Sequence, residues 1–531
     1  MFKLIKKLLY NRAINKAIFG ERMYFFGLIL LAVSLPLSKF TISISQFIIA
    51  IGWLFSSRIW QRVRYFLKTP SAWMISGIYI LFVLGMLYST NFEHGLKELR
   101  IKLPLLILPF MIATAPPLSR RQWNFVMGFF VASVLGASFV STYILATTDI
   151  LDTRNISPYI SHVRFGLMLS LAFFTCVFYA YKTMLWSLRF LMIILAAWIV
   201  IFLVLLEAVT GLGITVVLGI GMLIVMALKE GKPWVRFSFV GSLVVLLILG
   251  IFFTNRIISE ELKAPQVDFS SLEDTTARGN PYYHDSSSTW HENGHYIYLY
   301  ICEEEMKKEW NKRSDIPYGG KDHQDHQIKN TLIRFLNSKG MRKDGDAVQQ
   351  LSEEEVAAIE NGIANINYMR RSSFRARLSQ IIYEYKNYRQ QGNPGGHSVM
   401  QRLEYWKAAI GIIHDHPWIG VGTGDINDAF NEQYKKMSSQ LEREFRLRAH
   451  NQYLRVGAAL GLIGLALFLL FLLYPVFAAK AWEEGLFMVY FFIVLMSMLT
   501  EDTLETQVGA TFFAFFFAFL LWGRRNIFMK N

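Results

Sequence analysis

Apolar runs of membrane length alternate with short polar stretches along most of the chain. Crossing about 30 Å of hydrocarbon takes roughly 20 predominantly apolar residues in a helix. By that measure the pattern predicts spans near 23–38, 41–56, 71–89, 102–117, 123–146, 162–181, 187–207, 210–228, 237–254, 450–477, 485–500 and 507–522. Basic residues then orient them. Arg58, Arg62, Arg64 and Lys68 fall in the second loop, and Arg120 and Arg121 in the fourth. Lys182 and Arg189 flank the sixth, and Lys229, Lys232 and Arg236 the eighth. Lys480 lies in the tenth, and Arg524, Arg525 and Lys530 in the tail. Basic even-numbered loops predict both ends in the cytoplasm and 255–449 on the far side. The expected fold is an all-α polytopic membrane protein with about twelve transmembrane helices. A basic segment 1–22 precedes helices 1–9 (23–254); a large, mainly helical outer segment 255–449 precedes helices 10–12 (450–522) and a basic tail 523–531.

Composition agrees with this pattern. Of 531 residues, 53% are hydrophobic and only 18% are charged. The net charge of +14 is distributed as loop charge, which reports topology rather than nucleic-acid binding. Cys176 and Cys302 lie in an apolar and a polar region, so neither a disulfide framework nor a thiolate metal site is expected. Residues 1–20 read as a basic amphipathic lead-in without a small-residue cleavage site.

The outer segment is too long for a plain connection. In its first part, Tyr296–Ile301 reads as a short strand, and His291 and His295, four apart, as either a metal pair or ordinary loop histidines. Ser352 with Glu355 matches a capping box, opening a helical stretch that bends near Gly362 and runs to about Arg389. Arg370, Arg371, Arg375 and Arg377 within it form either a solvated face or a surface for an anionic lipid-linked substrate. After a turn at 390–396, residues 398–415 predict an amphipathic helix with Arg402 and Trp406 one turn apart. His416-Pro417 ends it. Gly420, Gly422 and Gly424 form either a plain tight turn or a backbone phosphate cradle, and Asp425 and Asp428 are placed to cap the next helix.

At 446–464 polar and apolar sequence meet without a linker. His450, Asn451, Gln452 and Arg455 therefore fall at or just inside a bilayer surface, where ionisable groups are functional candidates. Arg446, Arg448 and Arg455 read alternatively as snorkelling anchors. On the same side, His162 and Arg164 open the sixth span. Glu207, Glu501, Asp502 and Glu505 face outward too, either positioning arginines or sugars or standing as ordinary interfacial carboxylates. Lys97, Arg100 and Lys102 break the positive-inside trend, as phosphate contacts or as a simple exception.

The stretches Arg402-Leu403-Glu404-Tyr405-Trp406-Lys407-Ala408-Ala409 and Asp415-His416-Pro417-Trp418-Ile419-Gly420-Val421-Gly422-Thr423-Gly424 resemble the O-antigen ligase and polymerase family. So does Ala449-His450-Asn451-Gln452-Tyr453-Leu454 leading into Gly461-Leu462-Ile463-Gly464, and His162-Val163-Arg164 resembles the family's upstream arginine motif. The insert at 255–398 is longer than that family leads one to expect. The resemblance implies a metal-independent glycosyltransferase of the bacterial inner membrane, with its site facing the periplasm and no nucleotide-sugar or other cofactor. Its donor is a glycan on undecaprenyl diphosphate, and its acceptor in the ligases is the lipid A-core. Arg164 and Arg402 match arginines assigned to the diphosphate, and His450 matches the essential histidine. His162, Asn451, Arg100, Lys102, Arg370 and Arg371 are the accompanying substrate-binding candidates. A polymerase of the same family, a protein O-oligosaccharyltransferase and a polysaccharide transporter are the rival readings.

Overall fold

The computed structural model describes residues 2–55, 59–148, 156–229, 233–263, 266–369, 374–392, 394 and 398–524. Two compact units emerge: Met1–Lys229 with Arg402–Asn531, and Glu230–Gln401. In chain order the first unit begins with α1 (Phe2–Ser34), α2 (Lys39–Phe55), α3 (Ile59–Lys68), α4 (Pro70–Met86) and α5 (Phe92–Lys102). It continues with α6 (Pro104–Thr114), α7 (Arg120–Thr147), α8 (His162–Lys182), α9 (Trp186–Leu205) and α10 (Val209–Lys229). The second unit holds α11 (Pro233–Leu262), α12 (Glu303–Trp310), α13 (Ile328–Ser338), α14 (Gly345–Gln349), α15 (Glu353–Glu360) and α16 (Phe374–Gln391). The chain returns to the first unit along α17 (Ser398–Asp415), then α18 (Ile426–Lys436), α19 (Gln452–Ala478), α20 (Gly485–Thr500) and α21 (Gln507–Trp522).

Among the described residues, α7, α8, α9, α10 and α19 are long and apolar enough to cross a membrane, and α2 with α3 makes a sixth if that bent pair is one span. α4, α20 and α21 are apolar but shorter. The run 102–117, expected as one span, is divided at Leu103, because Pro104 starts a separate helix of 11 residues. That length rises only about 16 Å. The run 237–254 lies inside α11, which packs on α16 in the second unit.

The first unit is built around α21. Its phenylalanines Phe512, Phe513, Phe515, Phe516, Phe517 and Phe519 are all buried, so the helix is apolar on every face and enclosed on every face. It packs on α6 and α20, while α19 packs on α4. The loop entering α21 is therefore anchored at the centre of the unit.

α19 is not one regular helix. Gly461 sits at φ +68°, and the break frees carbonyls that would otherwise be bonded along the helix. The glycine-rich turn fills that break. Val421 and Gly422 donate to the carbonyls of Ala458 and Ala459, and Leu462 donates back to Pro417 at 2.7 Å. Of the two readings of this glycine-rich stretch, the structure bears out the plain tight turn, whose N–H groups are taken by protein acceptors. Gly420 donates to His416, Thr423 to Gly85, and Gly424 to the Ser89 hydroxyl. A Cβ at Gly461 would sit 2.3 Å from the Trp418 carbonyl carbon, and its backbone, at φ +68° and ψ −175°, would cost any L residue about 1–3 kcal/mol. Gly461→Ala is therefore expected to lower the melting temperature of the detergent-solubilised protein by several degrees; an unchanged melting curve would show that the turn does not depend on this contact.

The second unit has its own core, centred on Met306, Trp310, Leu332, Phe335, Leu336, Val348 and Ile359. Where 296–301 was expected to form a strand, only His295–Tyr296 pairs, with His291–Glu292, and Ile301 makes isolated bridges to Tyr283 and Lys343. The capping box at Ser352 and Glu355 forms as expected. Glu292, almost fully buried, receives both Nε and Nη2 of Arg334 at 3.1 Å and Asn365 Nδ2 at 2.7 Å. Such a paired and fully bonded carboxylate fixes the hairpin onto α13.

Candidate active site

Glu501 and Asp502 follow α20 directly, and Glu505 lies in the 3-10 turn Thr503–Glu505 that leads into α21. Three carboxylates in five positions draw cations from distant parts of the first unit. Arg402, on α17, places Nη2 2.8 Å from Glu501 Oε1. His450 places Nδ1 3.5 Å from Glu501 Oε2. Arg164, in the first turn of α8, acts electrostatically on Glu501 and Asp502, and its buried Nε has no hydrogen-bond partner among the described residues. Residues 164, 402 and 450 thus converge on one carboxylate.

His450 is held in a costly conformation. Its φ is +46°, a region that non-glycine residues adopt rarely. Asp502 makes that tolerable: its carboxylate accepts from the backbone N–H groups of His450 and Asn451, at 3.2 and 2.9 Å, and pairs with Arg448 Nε at 3.0 Å. The imidazole stacks on Tyr405, with ring centroids 5.6 Å apart, and the Tyr405 hydroxyl donates to the Phe445 carbonyl. Asn451 caps α19 by accepting from Leu454 N–H, and its side-chain nitrogen donates to Leu499.

Behind this layer lies a buried charge cluster. Lys102 is fully buried and bonds to both Glu98 and Glu505, the latter at 2.6 Å. Arg455, 2% exposed, lies 3.7 Å from Glu98 and from Glu505 and donates to Asn427. Gln452 donates to Glu505 and accepts from Leu504 N–H. Burial favours the neutral form of Glu505, but Lys102 and Arg455 outweigh it and hold the carboxyl well below its usual range. Burial, reinforced by the charge of Glu505, pushes Glu98 upward.

Residues 358–469 match the O-antigen ligase family. This is the family that the 402–464 motifs resemble, and Arg402, His450 and Asn451 fall inside the matched segment. No curated protein matches the chain. Arg164 and the carboxylate loop 501–505 lie outside the match in sequence, yet fold to the same place.

Other expected residues fall differently. Arg455, read either as a functional candidate or as a snorkelling anchor, is buried in the charge cluster, and Arg446 donates to the Leu441 carbonyl. Lys102 faces inward, whereas Lys97 and Arg100 are exposed on α5. His162 is half-buried at the start of α8, and Glu207 is exposed between α9 and α10. Arg370 and Arg371 lie outside the described residues. Asp425 does not cap α18; its carboxylate accepts from Thr90 and Asn91 N–H and secures the entry to α5. Tyr405 and Arg448 were not singled out by function. Their signal was proximity, one turn from Arg402 and two residues before His450.

Burial raises Glu501, but the His450 hydrogen bond and the charges of Arg402 and Arg164 outweigh it, and the carboxyl sits below its usual range. A depressed carboxylate contributes stability above its unfolded pKa, about 4.3, and loses it as pH falls through the folded value. Glu501→Gln should therefore melt earlier than the parent at pH 7, with the gap closing below about pH 4. Melting curves in detergent across this range test it; a gap independent of pH would contradict the charge pairing.

Proposed function

We propose that the protein is an O-antigen ligase, transferring a glycan from undecaprenyl diphosphate to a hydroxyl of the lipid A-core at the periplasmic face of the inner membrane. The observation that supports this reading is the pairing of Arg402 and His450 with Glu501, with Arg164 within electrostatic reach of the same carboxylate. Together with Arg448, three guanidiniums stand against two carboxylates there, leaving one unit of positive charge for an incoming diphosphate. The reading also takes about twelve spans and a periplasmic 255–449, as the basic loops imply.

In the proposed step the acceptor oxygen attacks C1 of the glycan, the C1–O bond breaks, and polyprenyl diphosphate leaves with the electron pair. Guanidiniums meet the added charge with bidentate, charge-assisted hydrogen bonds. At an effective dielectric of about 20, one unit pair at 4 Å interacts by about 4 kcal/mol. The acceptor proton passes to His450. With Nδ1–H directed at Glu501, the Nε2 lone pair is left to take the acceptor proton. Glu501 and Tyr405 act through His450 as positioning residues.

Deleting the gene and examining lipopolysaccharide and carrier-linked glycan tests the assignment. Long glycan left on the carrier with bare core is the expected result. Single repeat units on the carrier would instead make the protein a polymerase, which shares the donor chemistry. Unchanged lipopolysaccharide and carrier pools would remove both.

A further inference from the structure

A polar cavity lies in the first unit, and no residue of the carboxylate loop lines it. Its volume is about 80 Å3, and it is lined in part by Glu21 and Tyr24 of α1, Trp53 of α2, Arg62 of α3, Gln122 of α7 and Pro116 in the turn before α7. One water needs only about 10–15 Å3, so a group of several heavy atoms fits.

The cavity is chemically incomplete. Arg62 is 8% exposed, and its Nη1 has no hydrogen-bond partner among the described residues. A buried, unanswered guanidinium donor is costly and calls for an acceptor. Glu21, exposed at the same cavity, is close enough to act electrostatically on Arg62, yet no ion pair joins them among the described residues. One fixed positive and one fixed negative group therefore border the same space without meeting. The walls between are aromatic and imino-acid side chains: Arg62 lies 5.8 Å from the Trp53 ring centroid, and Trp53 Nε1 already donates to Thr114.

Position narrows the ligand. Arg62, Gln122 and Pro116 all belong to helix ends or short turns, where Arg64, Lys68, Arg120 and Arg121 also cluster. Trp and Tyr beside basic residues mark the headgroup level of a bilayer. A phosphate alone would satisfy Arg62 but meet the Glu21 charge unfavourably. A group carrying both a phosphate and a primary ammonium answers both residues.

We propose that this cavity binds the phosphoethanolamine headgroup of a membrane phospholipid, the phosphate accepting from Arg62 and the ammonium donating to Glu21. A trimethylammonium headgroup has no N–H to donate, and a glycerol headgroup has no positive charge.

Native mass spectrometry of the full-length protein tests this, with phosphatidylethanolamine, phosphatidylcholine and phosphatidylglycerol of identical acyl chains in equal amounts. The expected result is retention of phosphatidylethanolamine over both competitors by about ten-fold. Arg62→Gln should abolish that retention, and Glu21→Gln should erase the preference over phosphatidylcholine while leaving the melting temperature unchanged. Should Arg62→Gln fail to fold, the exposed Glu21 decides by itself. Equal retention of the three lipids by the parent protein, or an intact preference in Glu21→Gln, would overturn the proposal. Soluble phosphoethanolamine binding as tightly as the lipid would overturn the lipid assignment.

Discussion

Alanine at either Arg164 or Arg402 is expected to lower glycan transfer about 100- to 1,000-fold, the loss typical of one preorganised contact to a developing negative charge. Arg402 pairs with Glu501 and Arg164 acts on it electrostatically, and neither belongs to the buried cluster behind the loop. Their removal should therefore leave folding largely intact. Lysine at either position should restore only part of the activity, since an ammonium offers a point charge in place of a planar fork. Transfer assays on variants of matched abundance, with melting curves as the control, check this. Full activity in both alanine variants would remove the proposed diphosphate site.

A stability loss of about 3–5 kcal/mol is expected for Lys102→Met, the typical result of removing one partner from a buried charge cluster. Lys102 bonds Glu98 and Glu505 inside the first unit, and its loss leaves two neighbouring buried carboxylates with Arg455 alone between them. The damage would reach the loop 501–505 and hence His450, so activity should fall together with stability. Arg100→Met, on the exposed face of the same helix, is expected to change stability by no more than about 0.5 kcal/mol. Thermal or denaturant unfolding of the two variants separates these outcomes. A stable, correctly folded Lys102→Met protein with weakened donor binding would return Lys102 to the role of a phosphate contact.

The helical character of the chain was legible because hydrophobic runs read directly as helices. Lengths were less so. Pro104 splits 102–117, and the break at Gly461 depends on a turn 40 residues away that supplies its hydrogen bonds. The candidate groups Arg164, Arg402 and His450 were legible as polar residues at apolar boundaries. The carboxylate joining them was visible only as one of several outward-facing acids, since nothing local says that residue 501 meets residues 402 and 450. Lys102 shows the limit from the other side. Charge pattern placed it at a helix mouth, but burial against Glu505, 403 positions later in the chain, is a tertiary fact. The glycine-rich turn was open to two readings for the same reason: its N–H groups needed partners, and sequence does not say whether those partners are phosphate oxygens or helix carbonyls.

The most direct measurement is photo-crosslinking of the purified protein with a polyprenyl diphosphate whose photoreactive group lies next to the phosphates. Convergence of the three groups predicts labelled peptides around Arg164, Arg402 and His450, with labelling suppressed by unmodified undecaprenyl diphosphate. Labelling confined to other segments, such as the exposed face of α5 around Lys97 and Arg100, would contradict it.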